Sequence, residues 1–305
     1  MTVVVAGEAL VDLILRPDGS IAAVPGGGPF NAARTLARLG IPTVFLGGLS
    51  ADRFGHELSA RLQEDGVRLG MPTPLNLPTT LALAELDEGG AASYRFYFAG
   101  TSAPLVTAAD AAAAFDASAT VLHVGTLGLV FEPMATTMES LVAGIGDEVL
   151  VFVDPNCRPL TIPDRAAYIE RLHRVLARAD VVKVSGDDLD YLSPGVAGLD
   201  ACRELLALGP QVVLFTDGAE TVHVLVRGGA SFSVDVPAVD VVDTVGAGDS
   251  FGGGFLATWV DAGFGRTDLG DLAALRTAVQ RTVVVAGITC TRAGAEPPRL
   301  ADLLA

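Results

Sequence analysis

The stretch DVVDTVGAGDSFGGGFLATW, residues 240–259, reads as a strand ending near Val242, a turn of small residues and then an apolar helix. Gly246, Ala247 and Gly248 are small enough for a ligand to touch the backbone. Asp249 follows in the first helical turn. There the free N–H groups of residues 246–249 and the positive end of the helix make an anion site. Asp249 in this pattern has two readings. It is either an N-terminal helix carboxylate, stabilising by ~0.3–1 kcal/mol, or an acid or base held beside a bound anion.

N-terminal to this stretch, apolar β-branched runs alternate with amphipathic ones. TVVVAG (2–7), TVFLGG (43–48), TVLHVG (120–125), VLVFVDPN (149–156), DVVKVS (180–185) and QVVLFTDG (211–218) are apolar on both faces. Strands of this kind belong to a parallel sheet covered by helices. PFNAARTLARLG (29–40), with Pro29 in a first-turn position and Gly40 as a stop, predicts a helix. So do residues 52–66, 163–179 and 199–209. The alternation predicts a three-layer, doubly wound α/β domain. Residues 11–25 and about 77–100 depart from it. They alternate with period two, the second around a Gly89-Gly90 turn, and predict a small antiparallel sheet projecting from the main one.

The formal net charge of −16, from 36 acidic and 20 basic residues, repels nucleic acid and anionic membrane surfaces. Cys157, Cys202 and Cys290 match no zinc or redox spacing, which fits reduced thiols in a cytoplasmic protein. Glu8 and Asp12 interrupt the apolar run near the N-terminus and no basic segment precedes it. It therefore reads as a first strand, not a signal peptide. His56, His123, His173 and His223 are dispersed, with no pair at zinc-ligand spacing.

DTVGAGDSF (243–251) resembles the C-terminal signature of the ribokinase-like, phosphofructokinase-B type carbohydrate kinases. PGGGPFNAARTLARLG (25–40) resembles their N-terminal signature. Other landmarks follow in order, so the resemblance covers essentially the whole chain. It implies one ribokinase-like domain over 1–305 with a β-sheet lid at 11–25 and 77–100, Mg·ATP as phosphoryl donor and a hydroxylated substrate. By the same resemblance, Asp249 takes the proton of the acceptor hydroxyl, and the amides of Gly246, Ala247 and Gly248 hold the phosphoryl group. Gly26, Gly27, Gly28, Asn31 and Asp12 form the sugar cradle. DPNCR (154–158) matches the family's Asp-x-Asn-x-Arg, with Asn156 on the substrate side and Arg158 as a phosphoryl clamp. A lid strand brings Tyr97 to the sugar.

On the nucleotide side the resemblance implies Lys183, Ser185, Thr216, Gly218 and Val283, with Asp188 reaching Mg²⁺ through water. Here the chain departs from the family pattern. Ser185 and Asp188 stand where Asn and Glu are usual, Thr221 replaces a glycine, and Val283 stands where Asn is frequent. A monovalent cation, K⁺, is implied near Asp243 and the carbonyls of Val245, Thr289 and Gly294. Asp243 also fits a turn-forming Asx residue. Homodimerisation through the lid is a further implication.

The chemistry agrees with the resemblance. A sugar hydroxyl is a poor nucleophile until a base within hydrogen-bond reach accepts its proton. A preorganised donor facing developing charge is worth roughly 2.7–4 kcal/mol. The P-loop pattern GxxxxGK[ST] is absent from the sequence. A fructose-like ketose leads as substrate, because SYRFYFAGTSAPL (93–105) resembles the lid strand of fructokinases and 2-keto-3-deoxygluconate kinases. Phe98 cannot pair with a sugar-acid carboxylate. 2-Keto-3-deoxygluconate, ribose or a nucleoside remain alternatives within the family. A non-catalytic sugar- or nucleotide-binding relative is the alternative outside catalysis.

Overall fold

The computed structural model describes residues 1–86 and 92–303. The strands are β1 (Thr2–Ala6), β2 (Leu10–Leu15), β3 (Ile21–Gly26), β4 (Thr43–Leu46), β5 (Arg68–Leu69), β6 (Leu81–Leu86), β7 (Ala92–Tyr97), β8 (Ala119–Gly125), β9 (Leu150–Asp154), β10 (Val181–Ser185), β11 (Val212–Asp217), β12 (Thr221–Val226) and β13 (Ser231–Asp235). The helices are α1 (Gly28–Arg38), α2 (Arg53–Glu64), α3 (Ala108–Ala114), α4 (Met134–Gly144), α5 (Arg165–Leu176), α6 (Gly186–Leu192), α7 (Gly198–Leu208), α8 (Ala247–Asp261) and α9 (Leu272–Cys290).

Nine strands form the main sheet, in the order β13-β12-β11-β10-β9-β8-β1-β4-β5. The six runs expected to be buried strands all lie in it and pair in parallel. β12 and β13 add an antiparallel edge that the sequence pattern did not announce. One face buries apolar residues of α1, α2, α8 and α9 against Val3, Val5, Val121 and Phe152. The other buries α4, α5 and α7 against Val4, Ala6, Leu122 and Val124. From β1 the chain continues outward to β4, and from β8 outward to β9 on the other side. The crevice at the carboxyl ends of β1 and β8 is therefore the topological switch point where ligands bind in such sheets.

The small sheet has the order β3-β2-β6-β7. The expectation of an antiparallel sheet needs one correction, because its central pair β2–β6 is parallel. About sixty residues, including α1 and α2, separate the two strands, and a parallel pair requires such a long connection. The expected Gly89-Gly90 turn lies outside the described residues. A second correction concerns the strand expected before the small-residue turn. β13 ends at Asp235, and Val241 and Val242 lie outside any strand and are exposed.

The packing of α8 depends on three successive glycines, each facing a different neighbour. A methyl group on Gly252 would meet the Phe152 ring at 3.4 Å. One on Gly253 would lie 2.9 Å from the Ala32 carbonyl oxygen and 2.8 Å from Thr35 Cβ on α1. One on Gly254 would lie 2.6 Å from Thr282 Oγ1 on α9. Thr282 Oγ1 donates to the Phe251 carbonyl at 2.6 Å, so it cannot retreat without leaving a buried acceptor unpaired.

Gly253→Ala tests this packing. Helix propensity alone would favour alanine by about 1 kcal/mol, whereas overpacking against backbone typically costs about 1–3 kcal/mol. Urea unfolding should show a net loss of stability. The same change at Gly144, at the end of α4 with no neighbour within 4 Å, should be neutral or stabilising. A Gly253→Ala protein more stable than the parent would contradict the packing account.

Candidate active site

Two helix N-termini meet at the switch point. α1 starts after Gly27, whose φ of 107° would strain any L-residue; a Cβ there would also lie 2.7 Å from the Glu8 carbonyl oxygen. α8 starts after Gly246, in a left-handed conformation with φ 77°. Asp249 stands in the first turn of α8. Asn31 on α1 donates through Nδ2 to Asp249 Oδ2 at 2.9 Å. Asn156 Nδ2 lies 3.5 Å from Asp249 Oδ1, at the limit of hydrogen-bond reach. Asn156 itself sits just beyond β9 with φ 37°, a conformation that asparagine tolerates better than most residues.

The three glycines leading into α1 (Gly26, Gly27 and its first residue, Gly28) each lack a side chain for a local reason. A methyl on Gly26 would collide with the Asp12 carboxylate. Gly27 leaves room for the backbone at Glu8. A methyl on Gly28 would lie 3.1 Å from Asp249 Oδ1, 3.4 Å from Asn156 Nδ2 and 2.8 Å from Thr126 Cγ2. The structure thus brings Asp12, Gly26, Gly27, Gly28, Asn31, Asn156 and Asp249 into one cleft.

Lys183 reaches the same point from β10. It is buried, and its ammonium lies 3.0 Å from where a Gly248 Cβ would stand and 3.2 Å from Asp154 Oδ2. Burial works against the Lys183 charge, but Asp154, Asp188 and Asp249 around it hold its pKa up. Burial raises Asp154 to about 7, opposed by Lys183. Asp249 is also raised by burial, opposed by the Asn31 hydrogen bond, Lys183 and Arg158. His123, stacked on Phe152 behind this group, is pushed down to about 4 by burial and is neutral.

Several expected residues have other tasks. The Ala247 amide donates to the Thr244 carbonyl at 3.2 Å and is not a free donor. Asp188 is buried as the capping-box residue of α6. One oxygen accepts the Cys157 amide at 2.6 Å, and the other accepts the Ser185 amide at 2.8 Å and its hydroxyl at 2.7 Å. Neither oxygen faces open solvent for a hydrated Mg²⁺. Val283 is 4% exposed and belongs to the core. The exposed apolar residues nearby are Val284 on α9 and Val239, which lies 3.4 Å from a Cβ position on Gly287.

Tyr97 pairs with Leu81, and Leu81 with Val11, whereas Asp12 pairs with Ala82 and Ala82 with Phe96. Tyr97 therefore points to the opposite face of the small sheet from Asp12, and Phe96 shares the Asp12 face. Arg158 is exposed and its guanidinium donates to the carbonyls of Asn156 and Cys157. It still acts electrostatically on Asp249, Asp12 and Glu8. Thr216 donates to the Val184 carbonyl at 3.3 Å, and Gly218 adopts φ 57° at the exposed end of β11. Asp243 joins two loops. It accepts the amides of Val245 at 3.0 Å and Gly294 at 2.9 Å, while the carbonyls of Thr289 and Gly294 receive the amides of Arg292 and Glu296.

Sequence reasoning missed Glu8 as part of this cleft. It follows β1, is 2% exposed, and both its oxygens lie within 2.7 Å of the Thr126 hydroxyl beyond β8. Its signal was an acid directly after a buried strand. Burial raises Glu8 to about 7 and Asp12 to about 6. For Glu8 the folded value exceeds the unfolded one near 4.5. Its contribution is therefore most favourable below about pH 4.5 and is lost as pH rises through about 7. Glu8→Gln should flatten the fall in unfolding free energy between those values relative to the parent protein, as read from urea midpoints across pH. An unchanged slope would mean that Glu8 ionises in the folded state as it does in water.

Residues 1–301 match the pfkB family of carbohydrate kinases. A fructokinase of Rhizobium leguminosarum bv. trifolii is 35% identical over 267 residues, covering 83% of this chain and 78% of that protein. The crystal structure of a fructokinase from Xylella fastidiosa with bound ATP superposes with TM-score 0.85 at 29% identity, over 99% of this chain and 97% of that one. A Vibrio cholerae O395 fructokinase with fructose, ADP and calcium ion superposes with TM-score 0.86 at 26% identity, over 99% and 97%. With a ribokinase-like fold and both family signatures lining one cleft, this chain belongs to the pfkB family of carbohydrate kinases.

Proposed function

We propose that this protein transfers the γ-phosphoryl group of Mg·ATP to a hydroxyl of a fructose-like ketose, with Asp249 as the base. The observation that carries the reading is the Asp249 carboxylate, fixed by Asn31 where the N-termini of α1 and α8 converge. The likeness to fructokinases crystallised with ATP or with fructose and ADP supports the donor and the substrate.

In this reading the sugar lies against Gly26–Gly28, with Asp12, Asn31 and Asn156 accepting from or donating to its hydroxyls. Asp249 takes the proton of the attacking hydroxyl. That oxygen bonds to the γ-phosphorus as the bond to the bridging oxygen breaks, and ADP leaves. Asp249 then returns its proton to solvent. The amides of Gly246 and Gly248, with the helix dipole and Lys183 beneath them, face the charge on the transferring group. Arg158 swings from its carbonyl partners to the phosphoryl oxygens. The raised pKa of Asp249 makes it a better proton acceptor when ionised, and a low-pH limb in turnover reports its protonation.

Ser185, Thr216 and Gly218 lie on the nucleotide side of the main sheet, and the exposed Val239 and Val284 offer the adenine an apolar surface. Mg²⁺ would enter with the triphosphate and neutralise part of its charge, since Asp188 is already committed to the α6 capping box. K⁺ fits beside Asp243 only through the remaining lone pairs of the Val245, Thr289 and Gly294 carbonyls. The small sheet over 11–25 and 77–100 serves as a lid, and its exposed Ile21 and Tyr97, on the face away from Asp12, suit contact with a second copy. The three free cysteines suit a reducing cytoplasm, and no helix among the described residues is long and apolar enough to cross a membrane.

Asp249→Asn is the direct test. Turnover of fructose and ATP should fall about 10²- to 10⁴-fold, the usual contribution of a positioned base, while calorimetry still detects ATP binding. Near-parental turnover by this variant would overturn the mechanism. Absence of ADP release by the parent protein across ketoses, aldoses, sugar acids and nucleosides would favour a binding protein.

A further inference from the structure

Arg34 lies on α1, three residues beyond Asn31, and is 4% exposed. Its guanidinium makes a separate contact with each nitrogen. Nε donates to Asp65 Oδ2 at 2.8 Å, Nη1 to the Ala295 carbonyl at 3.2 Å, and Nη2 to Glu296 Oε2 at 3.0 Å. Arg38, one turn on, also pairs with Asp65 and Glu296, and Arg299 closes on Asp65 at 3.0 Å. The Phe30 ring lies 5.6 Å from the Arg34 guanidinium carbon. These groups join α1, the end of α2 and the loop after α9.

That loop ends against the phosphoryl turn. Ala295 is buried, and a Cβ on Gly246 would lie 2.5 Å from its methyl and 3.0 Å from its Cα. The loop is tied from the other side by Asp243, which accepts the Gly294 amide. Ala295 is therefore held between two anchors. One is the turn that leads into Gly246, and the other is the helix that carries Asn31.

We propose that Arg34 is a positioning residue for phosphoryl transfer: by holding Ala295 over Gly246, it keeps the phosphoryl turn in register with the Asn31–Asp249 pair. The proposal rests on the kinase reading of the cleft. Arginine suits the task because its planar fork directs three donors at fixed angles, which a lysine cannot reproduce. Asp65 and Glu296 offset two of the three arginine charges in the cluster, and each arginine already has a carboxylate partner. This fits a brace between elements better than a free anion site. Register matters because a displacement of about 1 Å at a reacting centre can cost on the order of 10²-fold in rate.

The test compares Arg34→Lys and Ala295→Gly with the parent protein, as turnover per folded molecule with both substrates varied. Arg34→Lys keeps the charge and loses the fork. Ala295→Gly keeps the ion pairs and removes the methyl over Gly246. Both should lower kcat on the order of 10- to 100-fold, with the KM values for sugar and ATP shifting far less and the pH of the acid limb unchanged. If Arg34→Lys lowers Tm but leaves kcat per folded molecule near parental, Arg34 is only a structural ion-pair residue and the proposal fails. Should Arg34→Lys not fold, Ala295→Gly decides, and a parental kcat overturns the proposal. A parent protein with no kinase activity would instead overturn the functional reading itself.

Discussion

Gly253 on α8 has the carbonyl of Ala32 and the side chain of Thr35 so close that only a hydrogen fits between the two helices. Each glycine inside a helix costs about 1 kcal/mol relative to alanine, so the Gly252–Gly254 run is locally unfavourable. Packing offsets it, because the run lets α8 lie against the sheet, α1 and α9 at once. The functional consequence follows from geometry. Asn31 and Ala32 are neighbours on α1, and Asp249 is one turn before Gly253 on α8. The contact that sets the helix separation also sets the 2.9 Å between Asn31 and Asp249. Moving the helices apart by a side chain's width would break that bond.

The electrostatics of the cleft resolve an apparent conflict. A chain of net charge −16 is proposed to bind a polyanion beside several carboxylates. Each helix N-terminus contributes roughly half a positive charge, and two of them converge here. Lys183 adds a full charge in a buried position, where screening by salt is weak. Meanwhile burial raises Glu8, Asp12 and Asp154 towards neutrality. The helix ends and Lys183, together with the partial neutralisation of the neighbouring acids, offset at the phosphoryl turn the repulsion that the net charge of the chain exerts on a polyanion.

The main sheet was legible because its strands are apolar on both faces and its helices keep a clear period. In the cleft, the family resemblance pointed to Gly26–Gly28, Asn31 and Gly246, and the structure gives local reasons for these residue types: close approach at the glycines and the bond to Asp249 at Asn31. Other features depended on partners distant in sequence. The parallel pairing of β2 with β6 depends on a long crossover. Tyr97 was misplaced because alternation gives two faces without saying which one meets the cleft. Val283 was placed at the adenine by the family resemblance, whereas Val284 continues the exposed stripe of Arg276 and Gln280 on α9 and Val283 faces the core. Asp188 was expected near Mg²⁺ because it stands where the family usually has Glu, but Ser185 three residues earlier makes the capping box that occupies it. Glu8 and Arg34 were hidden for the same reason: Thr126, Ala295 and Glu296 become their neighbours only in the fold.

A crystal structure with fructose and a non-hydrolysable ATP analogue would show whether Asp249 and the start of α8 meet the reacting groups. An acceptor hydroxyl is expected within about 2.6–3.2 Å of the Asp249 carboxylate, with the γ-phosphoryl oxygens facing the amides at the start of α8 and the sugar against Gly26–Gly28. A fructose bound with every hydroxyl out of reach of Asp249, or a triphosphate ending away from Gly246 and Gly248, would contradict it.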